Sequence, residues 1–144
     1  MFKGLTYKDI PIFEKPWFMK LPIIRNARGV ALFSKIYLRK DLFDKFRSNT
    51  PDPETLSVLE HELRHVERGR KKGFFRTLLL YWLLPKIRIE EEMEAIREEM
   101  RVLKSAKQNF DFSKRAKNLS GIPYLWAISY KKAYHILTKL WEEI

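Results

Sequence analysis

Apolar residues in the middle of the chain recur at helical spacing. Leu56, Leu59, Leu63 and Val66 fall at i, i+3, i+7 and i+10, one face of a helix. Thr50 before Pro51, or Asp52 before Pro53, offers a capping oxygen ahead of a proline at the first helical position, and Gly73 offers a stop just after Lys72. Residues 74–84 form a second apolar helical stretch that Pro85 ends or kinks. A third helix is predicted over about residues 88–107, where Ile89, Met93, Ile96, Met100 and Leu103 make the strongest helical stripe in the chain. Residues 109–113 read as a break. After Gly121 and Pro123 a final helix is predicted over about residues 123–143.

Toward the N-terminus the pattern changes. Val30, Leu32, Ile36 and Leu38, with Phe33 and Tyr37 between them, make a β-rich run that Gly29 opens, or at which Gly29 starts a hairpin with the preceding segment. Residues 41–46 read as a short helical turn. Residues 1–28 hold Phe2, Tyr7, Pro11, Phe13, Pro16, Trp17, Phe18 and Pro22, which predicts irregular or short extended structure packed by its aromatics. The expected class is α+β, mostly helical, with one small sheet or hairpin and a C-terminal helix.

Composition narrows the chemistry. At 144 residues, with 45% hydrophobic and 33% charged residues, the chain suits one domain with a packed core, over residues 1–144. The balance of 29 Lys+Arg against 18 Asp+Glu, +11 at pH 7, invites a nucleic-acid or anionic-membrane partner. Cysteine is absent, which excludes disulfide scaffolds, thiolate zinc sites, iron–sulfur clusters and cysteine nucleophiles. A metal site must use carboxylates and the three histidines. No signal-like apolar region opens the chain and no apolar run is long enough to span a membrane, so the expected location is cytoplasmic.

Two of the three histidines fall in His61-Glu62-Leu63-Arg64-His65, the pattern H-E-x-x-H on a predicted helix. Residues four apart lie one turn above each other, so His61 and His65 can reach one ion. Glu62, rotated by about 100°, stands beside that ion, where it can deprotonate water. Roughly one shuffled chain of this composition in 200 carries the pattern. A third ligand is needed, and the extension H-E-x-x-H-x-x-G-x-x-H fails, with Arg68 at the Gly position and Lys71 at the third His position. His135 and the carboxylates of Glu90, Glu91, Glu92, Glu94, Glu98 and Glu99 remain. On a helical wheel Glu90, Glu91, Glu94 and Glu98 fall on the solvated face. Glu92 falls on the border of the apolar stripe, with Glu99 two turns on, and a core-facing carboxylate needs a cation.

His61-Glu62-Leu63-Arg64-His65 followed by Glu92-Met93-Glu94-Ala95 resembles the gluzincin metallopeptidases, and in particular the E-x-x-A signature of the integral-membrane CAAX-type and heat-shock zinc proteases. Without membrane spans the chain is most similar to their soluble minimal counterparts, the minigluzincins. The resemblance covers about residues 29–105. It implies a zincin-like core over about residues 29–107, with Zn2+ bound by His61, His65 and Glu92, Glu62 as general base, and a peptide or protein substrate. It also implies that the strand before the motif helix, Val30, Ala31, Leu32 and Phe33 included, edges the cleft and pairs with extended substrate. The family often has an acidic residue one turn after its glutamate ligand. Ile96 stands there, leaving Glu99 or a backbone carbonyl to orient a ligand histidine. Tyr81, Tyr134 and His135 are the candidates for a transition-state electrophile. The flanks 1–28 and 110–144 either complete the core or cover the cleft and leave the enzyme latent.

Two other function classes compete. The clusters Arg68-Gly69-Arg70-Lys71-Lys72 and Lys114-Arg115 suit a nucleic-acid-associated module, although no fingerprint motif accompanies them. Residues 74–84 and the basic residues around them suit docking on a membrane surface. Either is compatible with a degenerate zincin fold that does not cleave.

Overall fold

The computed structural model describes residues 4–19, 27–121 and 124–144. Phe2, Pro22 and Pro123 lie outside them. The architecture is α+β and mostly helical. Two β-strands, β1 (Thr6–Tyr7) and β2 (Ile10–Glu14), precede a short 3-10 turn at Trp17–Met19. A hairpin of β3 (Gly29–Leu32) and β4 (Lys35–Leu38) follows, then helix α1 (Lys40–Arg47). Four longer segments complete the order with one short helix among them: α2 (Pro53–Lys72), α3 (Phe74–Leu83), α4 (Pro85–Ser105), α5 (Phe112–Leu119) and α6 (Tyr130–Glu143). Among the described residues no helix is long and apolar enough to cross a membrane.

The β-rich run over 29–38 is two strands rather than one. Leu32 pairs with Lys35, leaving Phe33 and Ser34 as a two-residue turn in which Phe33 takes a left-handed conformation (φ 55°). Phe33 therefore belongs to the turn and not to the strand expected there. The sheet order is β1-β2-β4-β3, so β3 forms one edge. The aromatic N-terminal segment supplies β2, which pairs parallel to β4 with Ile12 opposite Ile36. It is thus an internal strand, with Ile10 and Ile12 buried in the same core as Ile36 and Leu38.

Of the two capping options ahead of α2, the structure uses Asp52. Its carboxylate accepts the Thr55 backbone N–H at 2.8 Å, and Pro53 takes the first turn. Lys45 and Thr55 hold this carboxylate down to about 2. Gly73 ends α2 at φ 89°, a conformation open to glycine. α4 starts at Pro85 rather than residue 88, since proline suits a first helical position. α6 starts at Tyr130, capped by Ser129, rather than at residue 123. Residues 112–119, around the expected break, form α5, capped by Asp111.

Two apolar cores flank a polar seam. Val58, Leu59, Leu63 and Val66 of α2 face the sheet and Leu42 of α1. Ile96 and Met100 of α4 face Ala116 and Leu119 of α5 and Ala133 and Leu137 of α6. Between these cores α2 and α4 meet through polar residues. Thr55, Ser57, His61 and Glu62 on one helix, and Arg88, Glu91, Glu92 and Glu99 on the other, are all buried. Glu91, expected on the solvated face, is 3% exposed, because Arg68 of α2 folds over it with Nε 3.2 Å from Oε1. The apolar stripe of α4 marks only the side that meets α5 and α6, and a second buried arc meets α2.

Candidate metal centre

The seam brings together His61 and His65 of the motif and Glu92, the ligand set that the resemblance implies. His61 and His65 lie one turn apart on α2, their ring centroids 5.1 Å from each other. Glu92 of α4 sits across from both. Its Oε2 is 3.4 Å from His61 Nε2 and its Oε1 is 3.1 Å from His65 Nε2. One donor atom from each of the three lies within 4.8 Å of the others, so the group can hold a metal ion. The spacing fits such an ion. With bonds of about 2.0–2.1 Å and tetrahedral angles, neighbouring ligand atoms stand roughly 3.3 Å apart. Three protein ligands leave one position of a tetrahedron open.

Both oxygens of Glu92 have further partners. The Tyr81 hydroxyl donates to Oε1 at 3.1 Å, and the Tyr124 hydroxyl donates to Oε2 at 3.0 Å. Burial, then the charge of Glu92, hold both phenols above their ordinary values, so both remain donors. Arg88 connects the two tyrosines. Its buried guanidinium donates to the backbone carbonyls of Tyr81 (3.0 Å), Trp82 (2.8 Å) and Tyr124 (3.1 Å). One cation thereby fixes the end of α3 against the loop after α5, and the two hydroxyls converge on Glu92.

Glu99 supports the other side. It accepts from His61 Nδ1 at 3.0 Å, which leaves Nε2 facing Glu92. Arg115 Nη2 donates to both Glu99 oxygens, at 2.7 and 2.9 Å, and Arg28 Nη2 donates to Oε1 at 2.6 Å. Burial alone would raise the Glu99 carboxyl, but Arg115, His61 and Arg28 hold it well below the usual carboxylate range. Burial likewise opposes ionisation of Glu92, and His65 and His61 outweigh it. Burial pushes His61 down, while hydrogen bonds to Glu92 and Glu99 and the charge of Glu62 hold it up to about 10.

Glu62 faces a cleft of about 540 Å³, lined also by Gly29, His61, Glu99, Arg115 and Tyr124. Strand β3 crosses α2 closely at this point. A Cβ on Gly29 would stand 2.8 Å from Val58 Cγ1 and 3.0 Å from Glu62 Cγ, so any larger residue there presses on both side chains. Val30, Ala31 and Leu32 follow along the sheet edge, and Phe33 turns away to pack on Phe74 and Phe75.

Tyr81 is the one of the three candidate electrophiles that reaches Glu92. Tyr134 packs on Phe112 and Tyr130, 38% exposed, and His135 is exposed on α6. Tyr124, Arg88 and Arg115 went unselected in the sequence. For Arg115 a signal existed, since a buried Glu99 requires a cation. For Tyr124 and Arg88 there was none, because both act across long sequence separations. Three site residues, Arg28, Arg115 and Tyr124, lie outside the expected core of 29–107. The basic clusters also change meaning: Arg115 serves Glu99, and Arg68 pairs with Glu91 and Glu94. Comparison with models of protein families, with curated proteins and with solved structures returns no match to the chain.

Proposed function

We propose that the chain is a zinc metallopeptidase of gluzincin type, with His61, His65 and Glu92 as ligands and Glu62 as general base. The observation that carries this reading is the carboxylate of Glu92 shared between the Nε2 atoms of His61 and His65, beside a cleft that Glu62 lines. The donor set of two imidazoles and one carboxylate suits zinc. A zinc ion there supplies a Lewis acid that polarises a peptide carbonyl and acidifies water.

The chain's own groups do the rest. Glu62 takes a proton from the attacking water and passes it to the amine nitrogen as the C–N bond breaks. Glu99 keeps the His61 imidazole in one tautomer and orientation. Tyr124, which lines the cleft, donates its hydroxyl proton to Glu92 Oε2 and so holds that carboxylate in place beside the reacting carbonyl. An extended peptide pairs with Val30, Ala31 and Leu32 along the open edge of β3, its scissile bond near Gly29 and Glu62.

Metal analysis and hydrolysis of a quenched fluorescent peptide library test this together. Zinc-loaded protein is expected to cleave, Glu62→Gln to keep its zinc while losing activity about 100-fold or more, and His61→Ala to lose zinc. A full zinc equivalent in His61→Ala, or unchanged cleavage by Glu62→Gln, rules the reading out.

A further inference from the structure

The most apolar helix among the described residues, α3, has no buried residue. It reads Phe-Phe-Arg-Thr-Leu-Leu-Leu-Tyr-Trp-Leu, and it packs against α2 and α4 along one side. On that side Phe74 lies over Gly69 and Tyr81 reaches Glu92. On the other, Phe75, Leu79, Trp82 and Leu83 recur at i, i+4, i+7 and i+8 and are 80%, 59%, 48% and 64% exposed. Phe33, at the tip of the hairpin, extends this stripe with its ring 5.7 Å from that of Phe75.

The stripe is framed by positive charge. No Asp or Glu occurs between Glu67 and Glu90. Arg70, Lys71 and Lys72 precede α3, Arg76 lies on it and Lys86 follows it, and all five are exposed. Arg68 and Arg88, the remaining cations of the stretch, turn inward to Glu91 and to backbone carbonyls.

We propose that this face docks on an anionic lipid surface, with Phe75, Leu79, Trp82 and Leu83 entering the headgroup boundary and the five cations meeting lipid phosphates and carboxylates. An apolar stripe with Trp and Phe, framed by Lys and Arg, is the composition of an in-plane interfacial helix. At 10 residues α3 is about 15 Å long, which suits lying in the surface and not crossing it. A second copy of the chain fits less well. Pairing about a two-fold axis would set the cations against their own images, with no acidic residue in the stretch to relieve them. An anionic leaflet supplies the opposite charge. The proposal is independent of any metal chemistry at the seam.

Co-sedimentation of the full chain with vesicles tests it, using phosphatidylcholine alone or with about one part in three phosphatidylserine. Binding to the phosphatidylserine vesicles is expected, with a blue shift in Trp emission and weakening as salt rises. Leu79→Glu/Leu83→Glu and Lys71→Gln/Lys72→Gln should each reduce it about tenfold or more while keeping the wild-type circular dichroism. Equal binding to both vesicle types overturns the proposal. So does native-like Leu79→Glu/Leu83→Glu that binds undiminished, or a concentration-dependent dimer with no vesicle binding.

Discussion

Glu99 accepts a hydrogen bond from His61 Nδ1 at 3.0 Å, although 38 residues separate them in the chain. The contact joins α4 to α2 two turns away from the one made by Glu92. Each ring nitrogen of His61 thus faces a different carboxylate of the same helix. Replacing Glu99 by Gln keeps the shape and removes the charge. Zinc affinity, read by competition with a chromophoric chelator, should fall about 10- to 100-fold. An unchanged affinity would mean that Glu99 serves only Arg115 and Arg28.

Without metal, the seam holds protons. The His61 imidazole is raised from 6.5 to about 10, against burial, by Glu92, Glu99 and Glu62. A group raised on folding stabilises the fold fully below its unfolded pKa and loses that contribution as pH rises through the folded one. Metal-free protein should therefore lose thermal stability between about pH 6.5 and pH 10, and zinc-loaded protein should lose less. Zinc binding at neutral pH should also release protons, measurable by calorimetry in buffers of different ionisation enthalpy. Proton release of zero would contradict the protonated seam.

Arg88→Met should destabilise the protein by about 3 kcal/mol, because the carbonyls of Tyr81, Trp82 and Tyr124 lose a charged donor in a buried setting. Denaturant unfolding measures this. The same variant should loosen both tyrosines from Glu92, so zinc affinity should fall although Arg88 touches no ligand atom. Stability loss with native zinc affinity would confine Arg88 to a packing role.

Gly29→Ala places a methyl group against Val58 and Glu62. The expected outcome is zinc bound at the wild-type level with peptide hydrolysis reduced at least tenfold, since Glu62 moves while His61, His65 and Glu92 do not. Retained activity would show that β3 can yield by a few tenths of an ångström.

The parts of this molecule that were legible in the sequence are those governed by neighbours in the chain. The start of α2 at one of two residues preceding a proline, the stop at Gly73 and the turn-to-turn relation of His61 and His65 all depend on residues a few positions apart. Glu92 stood out because a carboxylate at the edge of an apolar stripe needs a partner. The parallel pairing of β2 with β4, the burial of Glu91 under Arg68, and the convergence of Tyr81 and Tyr124 on Glu92 depend on packing between distant segments. No local pattern encodes them. The turn at Phe33 lacked the usual Asn-Gly signal, so one apolar run concealed two strands.

The polar seam also changes what the formal charge means. Among the described residues, Glu62, Glu91, Glu92 and Glu99 are buried, against Arg88 and the His61 imidazole as buried cations. The interior thus takes up a disproportionate share of a scarce set of acids. What faces solvent is more basic than the +11 of the sequence, and the counterion cloud around the molecule is correspondingly denser. The protein should be held on a cation exchanger more strongly than a chain of the same composition with those glutamates outside, and unfolding should weaken that retention by returning them to the surface.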